Sequence, residues 1–205
     1  MSEKLFTHEA YQKVLQIIRE PLNVYIYGSR AYGCNRADAD FDFIVVTKDI
    51  TINETVDHQN INMAVYSIED FKKKIAEHEI SVLECLFLPA DKILKQDVGF
   101  EFVLDLKQLR RSLSEKSSNS WVKAKKKFDV ENQTYIAKKS LFHSLRILMF
   151  GIQLAQHGKI VDFVAANGYW NEIMLNPATD WKTYNSLYKK IYNELKYAFK
   201  KAAPK

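Results

Sequence analysis

Residues 28–43 read GSRAYGCNRADADFDF, and this stretch decides the fold. It follows a short apolar run at residues 24–27 (VYIY) and leads into a second one at residues 43–46 (FIVV). Such runs are typical of buried strands, which are short and rich in β-branched and aromatic residues. The stretch is therefore predicted to connect two strands, with a short helix starting at Gly28 and Ser29.

The Gly-Ser pair and the aspartates that follow it predict a site for phosphate and metal. Backbone N–H groups at the start of a helix, together with the Ser29 hydroxyl, can cradle phosphate oxygens. Asp40 and Asp42 alternate with phenylalanines, so in a strand both carboxylates project from one face. Two carboxylates beside a phosphate cradle predict a Mg²⁺ site for phosphoryl chemistry, with Mn²⁺ as the alternative ion.

A purely structural interpretation of the same residues competes with this one. Ser29 would then be an ordinary N-cap, and the aspartates would begin a solvated strand. Against it, Asp38, Asp40 and Asp42 stand at alternate positions, where like charges repel and where Asp is uncommon. A bound cation relieves such crowding, which favours the functional interpretation.

The motif resembles that of the DNA polymerase β-like nucleotidyltransferase superfamily, a Gly-Ser turn followed at a fixed distance by Asp-x-Asp. Here these are Gly28-Ser29 and Asp40-Phe41-Asp42. The chain looks closest to the stand-alone minimal enzymes of the superfamily, although Ala39 stands where they usually carry Ser. Weaker similarity continues over residues 66–89 and 139–146.

The order of elements and the resemblance imply an α+β fold. A small mixed-sheet nucleotidyltransferase domain is predicted over residues 1–103, followed by an all-helical domain over residues 104–205 that closes the active-site cleft. The elements predicted in the first domain are a helix over 7–19, strands over 24–27, 42–47 and 61–66, and helices beginning at Ser67 and Ser81. Residues 48–60 are predicted to be a loop containing part of a strand.

The second half is predicted to be helical and basic. The serine-rich residues 112–120 are the best linker candidate, and a lysine-rich segment follows at 121–129. A helix over 135–157 has an apolar face and an opposite face that carries Lys139, His143 and Arg146. That face is as well explained by solvation as by an anion such as a triphosphate.

In the last helix, predicted over residues 181–203, a core-facing stripe is expected. Its members are Tyr184, Leu187, Ile191, Leu195 and Phe199. Tyr188 and Tyr192 are expected at the edge of that core rather than as a platform for stacking bases.

The resemblance also implies a third acidic residue on the strand over 61–66, and Asn62 occupies its position. Three interpretations remain open. The enzyme works with two carboxylates and Asn62 as a ligand; another acid, such as Asp57 or Glu69, takes the role; or nucleotide binds without efficient transfer.

Composition narrows the class of protein further. The 205 residues include 47% hydrophobic and 27% charged ones, as expected of a folded globular chain. The net charge of +5 suits a polyanionic partner but does not require one. Cys34 and Cys85 lack zinc-site spacing, and with no secretory or membrane-spanning segment they predict a reducing cytoplasmic location. Nothing indicates the oligomeric state.

The resemblance implies Mg²⁺-dependent transfer of a nucleoside monophosphate from an NTP to a hydroxyl, with release of pyrophosphate. Gly28 and Ser29 would hold the β- and γ-phosphates, and Asp40 and Asp42 the metal. The cations expected to neutralise phosphate charge are Arg30, Lys139, His143 and Arg146. An RNA 3′ end is the first acceptor expected, then a protein hydroxyl or a small molecule; a silent nucleotide-binding module is the alternative.

Overall fold

The computed structural model describes residues 3–36, 38–58 and 60–204, and it describes side chains for all of these except residues 3–6 and 53–55. The first elements in chain order are α1 Glu3–Ile17, β1 Asn23–Tyr27, α2 Ser29–Tyr32, β2 Phe41–Thr47, β3 Ile52–His58, β4 Ile61–Ser67, α3 Ile68–Ala76, α4 Ile80–Leu86 and β5 Ile93–Gln96. The helices that follow are α5 Leu106–Asp129, α6 Thr134–His157, α7 Asn167–Leu175 and α8 Trp181–Ala202.

The chain forms two compact units, and the expected α+β class is confirmed. The sheet unit comprises the residues up to Ala76 together with Ser81–Phe102. The helical unit comprises the short segment Glu77–Ile80 together with the residues from Val103 onward. The chain therefore leaves the sheet unit briefly before it returns to complete it.

The sheet has five strands in the order β3-β4-β2-β1-β5 and is mixed. Among the described strands, the β2–β4 pairing is parallel and the other pairings are antiparallel. Alternate residues of the central strands face α1 and form a core with Ala10 and Val14; these are Val24, Ile26, Phe43, Val45, Ile61, Met63 and Val65. The other face carries Tyr25 and Tyr66, whose rings contact Phe71 of α3.

Two strands differ from the prediction. β3 is a full strand of seven residues, whereas only part of a strand was expected there. Its inward residues Ile52 and Val56 pack on the core, but polar residues separate them and hide the pattern. β5 was not predicted, because its sequence ILKQ is short and it pairs along the edge with β1.

The expected linker at residues 112–120 is wrong, since α5 runs through it without a break. Leu113, Ser117 and Trp121 are buried on one face of this helix. The Ser117 hydroxyl donates to the Ser144 carbonyl oxygen of α6 at 2.8 Å. A small, hydrogen-bonded serine lets the two helices approach closely, so serine here reflects packing rather than flexibility.

The expected stripe of α8 is wrong in part. Leu187 is 50% exposed, whereas Tyr188 and Tyr192 are buried with Tyr184. Aromatic partners on α5 explain why the buried face of α8 differs from the predicted one. Tyr192 stacks on Trp121 with 4.1 Å between ring centres, and Tyr184 stacks on Phe128 with 4.8 Å. Among the described helices, none is long and apolar enough to cross a membrane.

Candidate active site

Gly28 brings the turn after β1 directly against the carboxylate of Asp42. Its φ of +67° and ψ of −148° lie in a region that side chains avoid. A Cβ at this position would stand 2.3 Å from Asp42 Oδ2. Glycine is therefore required for two reasons, the backbone conformation and the close approach to Asp42. The turn after β1 and the Asp42 carboxylate are in direct contact.

Ser29 begins α2 beside this contact and is half-buried. The Gly28 carbonyl oxygen accepts the N–H of Ala31 at 3.0 Å and of Tyr32 at 3.4 Å, which closes the short helix. The first N–H groups of a helix take no bond from within it. The expected phosphate cradle thus has its backbone geometry, and its contact with phosphate stays a prediction.

Asp42 lies on the side of β2 that faces away from α1. The Phe41 and Phe43 rings stack at 6.1 Å on the opposite side, with Phe43 in the core under α1. This is the alternation that the sequence predicts for Asp42. Asp40 comes just before β2 and is exposed.

Arg30 was expected to neutralise phosphate charge, and the structure places its guanidinium against protein groups. The side chain is only 8% exposed, and its guanidinium carbon lies 3.8 Å from the centre of the Phe41 ring. Nη2 donates to the Ala39 carbonyl oxygen at 2.6 Å and Nε to that of Asp40 at 3.3 Å. Arg30 therefore fixes the backbone that carries Asp40, and a direct contact with nucleotide stays a prediction.

Asn62 stands directly beside Asp42 in the parallel pairing of β2 and β4. Its amide nitrogen donates to Asp42 Oδ1 at 3.1 Å. The prediction that Asn62 shares a face with Asp42 is confirmed. In this arrangement Asn62 orients the carboxylate, while the ligand role of its carbonyl oxygen stays a prediction.

The two other acids that the sequence suggested lie in different places. Asp57 of β3 pairs directly with Asn62. Glu69 begins α3, beyond the opposite end of β4, and forms an ion pair with Lys72 at 3.0 Å. Within the described part of the chain, no group of three or more His, Cys, Asp or Glu side chains is arranged to hold a metal ion. The oxygen-rich set of Asp40, Asp42 and Asn62 nevertheless suits a hard divalent cation.

A sequence model described as a nucleotidyltransferase domain matches residues 11–136, more than half of the chain. The chain belongs to this nucleotidyltransferase family. Its reaction class is therefore nucleotidyl transfer, and domains of this kind typically use a divalent metal.

A similar solved structure is the spectinomycin adenyltransferase AAD(9) from Enterococcus faecialis, crystallised with ATP and spectinomycin. It is 14% identical, with a TM-score of 0.47, over 94% of this chain and 97% of that one. A comparison with curated proteins finds no match.

The expected division of α6 into an apolar and a cationic face is wrong. Arg146 is 3% exposed, and its guanidinium carbon lies 5.0 Å from the centre of the Phe150 ring. Helices α5, α7 and α8 all contact α6, so it is buried on several sides, Arg146 included. Lys139 is half-buried, with its ammonium 5.7 Å from the centre of the Tyr135 ring.

The surroundings of His143 disfavour the charged form of its imidazole. Burial of its ring lowers its pKa well below the usual value, and the nearby charges of Arg146, Lys139 and Lys123 lower the pKa further. Lys123 belongs to α5, so α5 and α6 bring one basic cluster around His143. Lys123 was missed as a member because the sequence does not show how two helices pack.

Sequence reasoning also missed a contact between two distant residues that supports α2. The Tyr32 hydroxyl donates to Glu84 Oε2 of α4 at 2.5 Å, and both residues are 1% exposed. The residues stand 52 positions apart, so nothing local indicates the contact. A buried carboxyl group is costly unless it is hydrogen-bonded, which makes this a firm anchor for the end of α2.

Proposed function

We propose that this chain transfers a nucleoside monophosphate from an NTP to a hydroxyl group with Mg²⁺. The observation that supports this most directly is the Gly28–Asp42 approach, which joins the expected phosphate cradle to a metal-binding carboxylate. Asn62, hydrogen-bonded to Asp42, holds that carboxylate in one orientation. Such preorganisation is what phosphoryl transfer requires of a protein, since the reaction needs positioning and charge stabilisation rather than covalent catalysis.

In the proposed reaction the acceptor oxygen forms a bond to the α-phosphorus of the NTP. The bond from that phosphorus to the oxygen bridging to the β-phosphate breaks, pyrophosphate leaves, and the acceptor hydroxyl loses its proton. Gly28 and Ser29 would bind the β- and γ-phosphates, and Asp40 and Asp42 would hold Mg²⁺, which neutralises developing negative charge when bound.

For the basic cluster of the helical unit we propose a contact with substrate phosphate. Within this cluster Lys139 is half-buried and Lys123 is exposed, whereas Arg146 is buried. Replacing Lys139 with alanine should then raise KM for the NTP. The interaction lost is a charge-assisted hydrogen bond, which contributes about 1.5–3 kcal/mol to binding. The exposed Lys159 supplies the control, since Lys159→Ala removes equal charge elsewhere.

The acceptor we propose first is the 3′ hydroxyl of an RNA, and it is supported by exposed lysines of α5. Lys126 and Lys127 form ion pairs with Glu131, which reduces their net charge. Lys123 and Lys125 are exposed and leave positive charge for a phosphate backbone. A protein hydroxyl and a small-molecule hydroxyl are the next candidates.

The deciding experiment measures pyrophosphate release with each of the four NTPs and Mg²⁺. Acceptors are RNA with a free 3′ hydroxyl, the same RNA with its 3′ end blocked, protein extract, and a panel of small hydroxylated compounds. Pyrophosphate release with the RNA that has a free 3′ hydroxyl, but not with the blocked RNA, supports the proposal. The double variant Lys123→Ala with Lys125→Ala should reduce this release more than Lys126→Ala with Lys127→Ala. Asp42→Ala should abolish release with every acceptor.

A silent nucleotide-binding module is the second candidate, because Asn62 replaces the expected acid. A protein that binds without transfer would gain thermal stability from an NTP and Mg²⁺ by mass action, yet release no pyrophosphate. A transferase would show both effects. Measuring both on one preparation separates the two functions.

A further inference from the structure

Transfer to a hydroxyl requires that a proton leave the acceptor, and the residues assigned so far do not accept it. Asp40 and Asp42 are committed to metal in the proposed function. Asn62 carries an amide, which is not a base. A positioned carboxylate or imidazole within hydrogen-bond reach of the hydroxyl normally takes such a proton.

Asp57 of β3 lies on the same face of the sheet as Asp42. It pairs with Asn62 across β3 and β4, and Asn62 pairs with Asp42 across β4 and β2. Directly paired residues share a face. Its neighbour Val56 pairs with Met63 and packs on the core under α1, so Asp57 faces the other way.

The three residues therefore form a row across three adjacent strands, with Asn62 in the middle. Neighbouring strands are about 4.8 Å apart, so the Asp57 and Asp42 backbones are separated by about 10 Å. Asn62 stands between the two carboxylates on this face, so a substrate oxygen that reaches Asp57 would lie over the row rather than within it. Within the described residues, Asp57 forms no group of three or more potential metal ligands with Asp40 and Asp42.

Other nearby titratable groups are less suitable. Glu69 lies beyond the far end of β4 and pairs with Lys72. His58 pairs with the core residue Ile61, which places it on the α1 side of the sheet. The Asp38 carboxylate accepts hydrogen bonds from Nε and Nη2 of Arg36, at 3.0 and 2.8 Å.

We propose that Asp57 is the general base of the reaction, a role that rests on the proposed function. Its carboxylate accepts the proton of the acceptor hydroxyl as the oxygen bonds to the α-phosphorus and pyrophosphate departs. The proton then passes to water, for which the exposed position of Asp57 is suited. The carboxylate missing from β4 is thus supplied from the next strand.

The test compares Asp57→Asn with the parent in pyrophosphate release, using the acceptor found above. Loss of a general base lowers kcat by about 10²- to 10⁴-fold, and KM for the NTP should change little. Binding of a non-hydrolysable ATP analogue with Mg²⁺ should be unchanged, and Asp57→Glu should restore part of the rate. Glu69→Gln is the matched control and should behave as the parent.

Each outcome decides a different question. If the parent releases no pyrophosphate with any acceptor, the proposed transfer and the role of Asp57 are both overturned. If the parent is active and Asp57→Asn equals it, the base assignment alone is overturned. A variant that loses analogue binding together with turnover would overturn it as well, because Asp57 would then bind nucleotide.

Discussion

Gly28 approaches the Asp42 carboxylate so closely that no other residue should be tolerated at this position. In Gly28→Ala, the backbone conformation should cost about 1–3 kcal/mol. The new Cβ should also displace the Asp42 carboxylate and weaken Mg²⁺-dependent nucleotide binding. Chemical denaturation and calorimetry measure the two effects.

Gly158→Ala provides the control for this prediction. Gly158 also has a positive φ, of +69°, but a Cβ there would meet nothing within 4 Å. It should lose stability and keep nucleotide binding. Equal binding by the two variants would show that the Gly28–Asp42 contact is not part of the nucleotide site.

Asn62 should matter through its hydrogen bond to Asp42. Asn62→Ala removes the donor held at 3.1 Å and should lose much of the pyrophosphate release. Asn62→Asp places a second carboxylate there, which strengthens cation binding, so transfer should be kept or increased with Mg²⁺. Rates at graded Mg²⁺ concentrations test both, and an Asn62→Ala variant as active as the parent would remove Asn62 from the site.

For single residues, the sequence predicted correctly the features that depend on the alternation of side chains along a strand. Strand periodicity predicts the faces on which Asp42 and Asn62 lie, and the Gly-Ser motif predicts a turn at Gly28. The direction of Arg30 and the burial of Arg146 did not follow, because each depends on an aromatic ring brought close by packing.

Among the helices, α2 should depend on its anchor to α4. Tyr32→Phe removes the hydroxyl that Glu84 accepts, and the loss of a hydrogen bond to a buried carboxyl group costs about 1.5–3 kcal/mol. Glu84→Gln keeps an acceptor oxygen and should cost less. Unfolding free energies of both single variants and the double variant form a cycle, and purely additive losses would contradict a direct coupling.

Helix α6 should make stability depend on pH through His143. Its folded pKa is depressed by burial, Arg146, Lys139 and Lys123, so the unfolded chain binds the proton more readily. The stabilising contribution is therefore complete above the unfolded pKa of about 6.5 and is lost as pH falls below it.

His143→Gln cannot take up that proton and should flatten the acid decline in the free energy of unfolding. Denaturation at a series of pH values from 7 downward measures it. A variant with the same decline as the parent would assign the effect to other groups.

Sequence predicted most helices and strands and placed some of their faces wrongly, for a common reason. Periodicity shows that an element is amphipathic, but the partner decides which residues are covered. The rings of Trp121 and Phe128 on α5 set the buried side of α8. The serine-rich part of α5 resembled a linker because Ser117 needed its α6 partner to be understood.

At the scale of the molecule, the two units of the structure do not correspond to a single boundary at residue 103. Glu77–Ile80 belongs to the helical unit, where α5 holds it. His78 accepts the Asp105 N–H at 3.0 Å, its carbonyl oxygen accepts the Ser112 hydroxyl at 2.9 Å, and it is 2% exposed.

A fragment of residues 1–103 should therefore be much less stable than the intact chain. Removing α5 exposes His78 and Ile80, both buried, and strips the segment between α3 and α4 of its hydrogen bonds. In the intact chain, His78→Ala should lower the unfolding midpoint in the same direction but by less, because only one residue's bonds are lost. Thermal unfolding followed by circular dichroism compares all three, and a fragment that melts cooperatively at the midpoint of the intact chain would show that the contacts of residues 77–80 with the helical unit are not needed for stability.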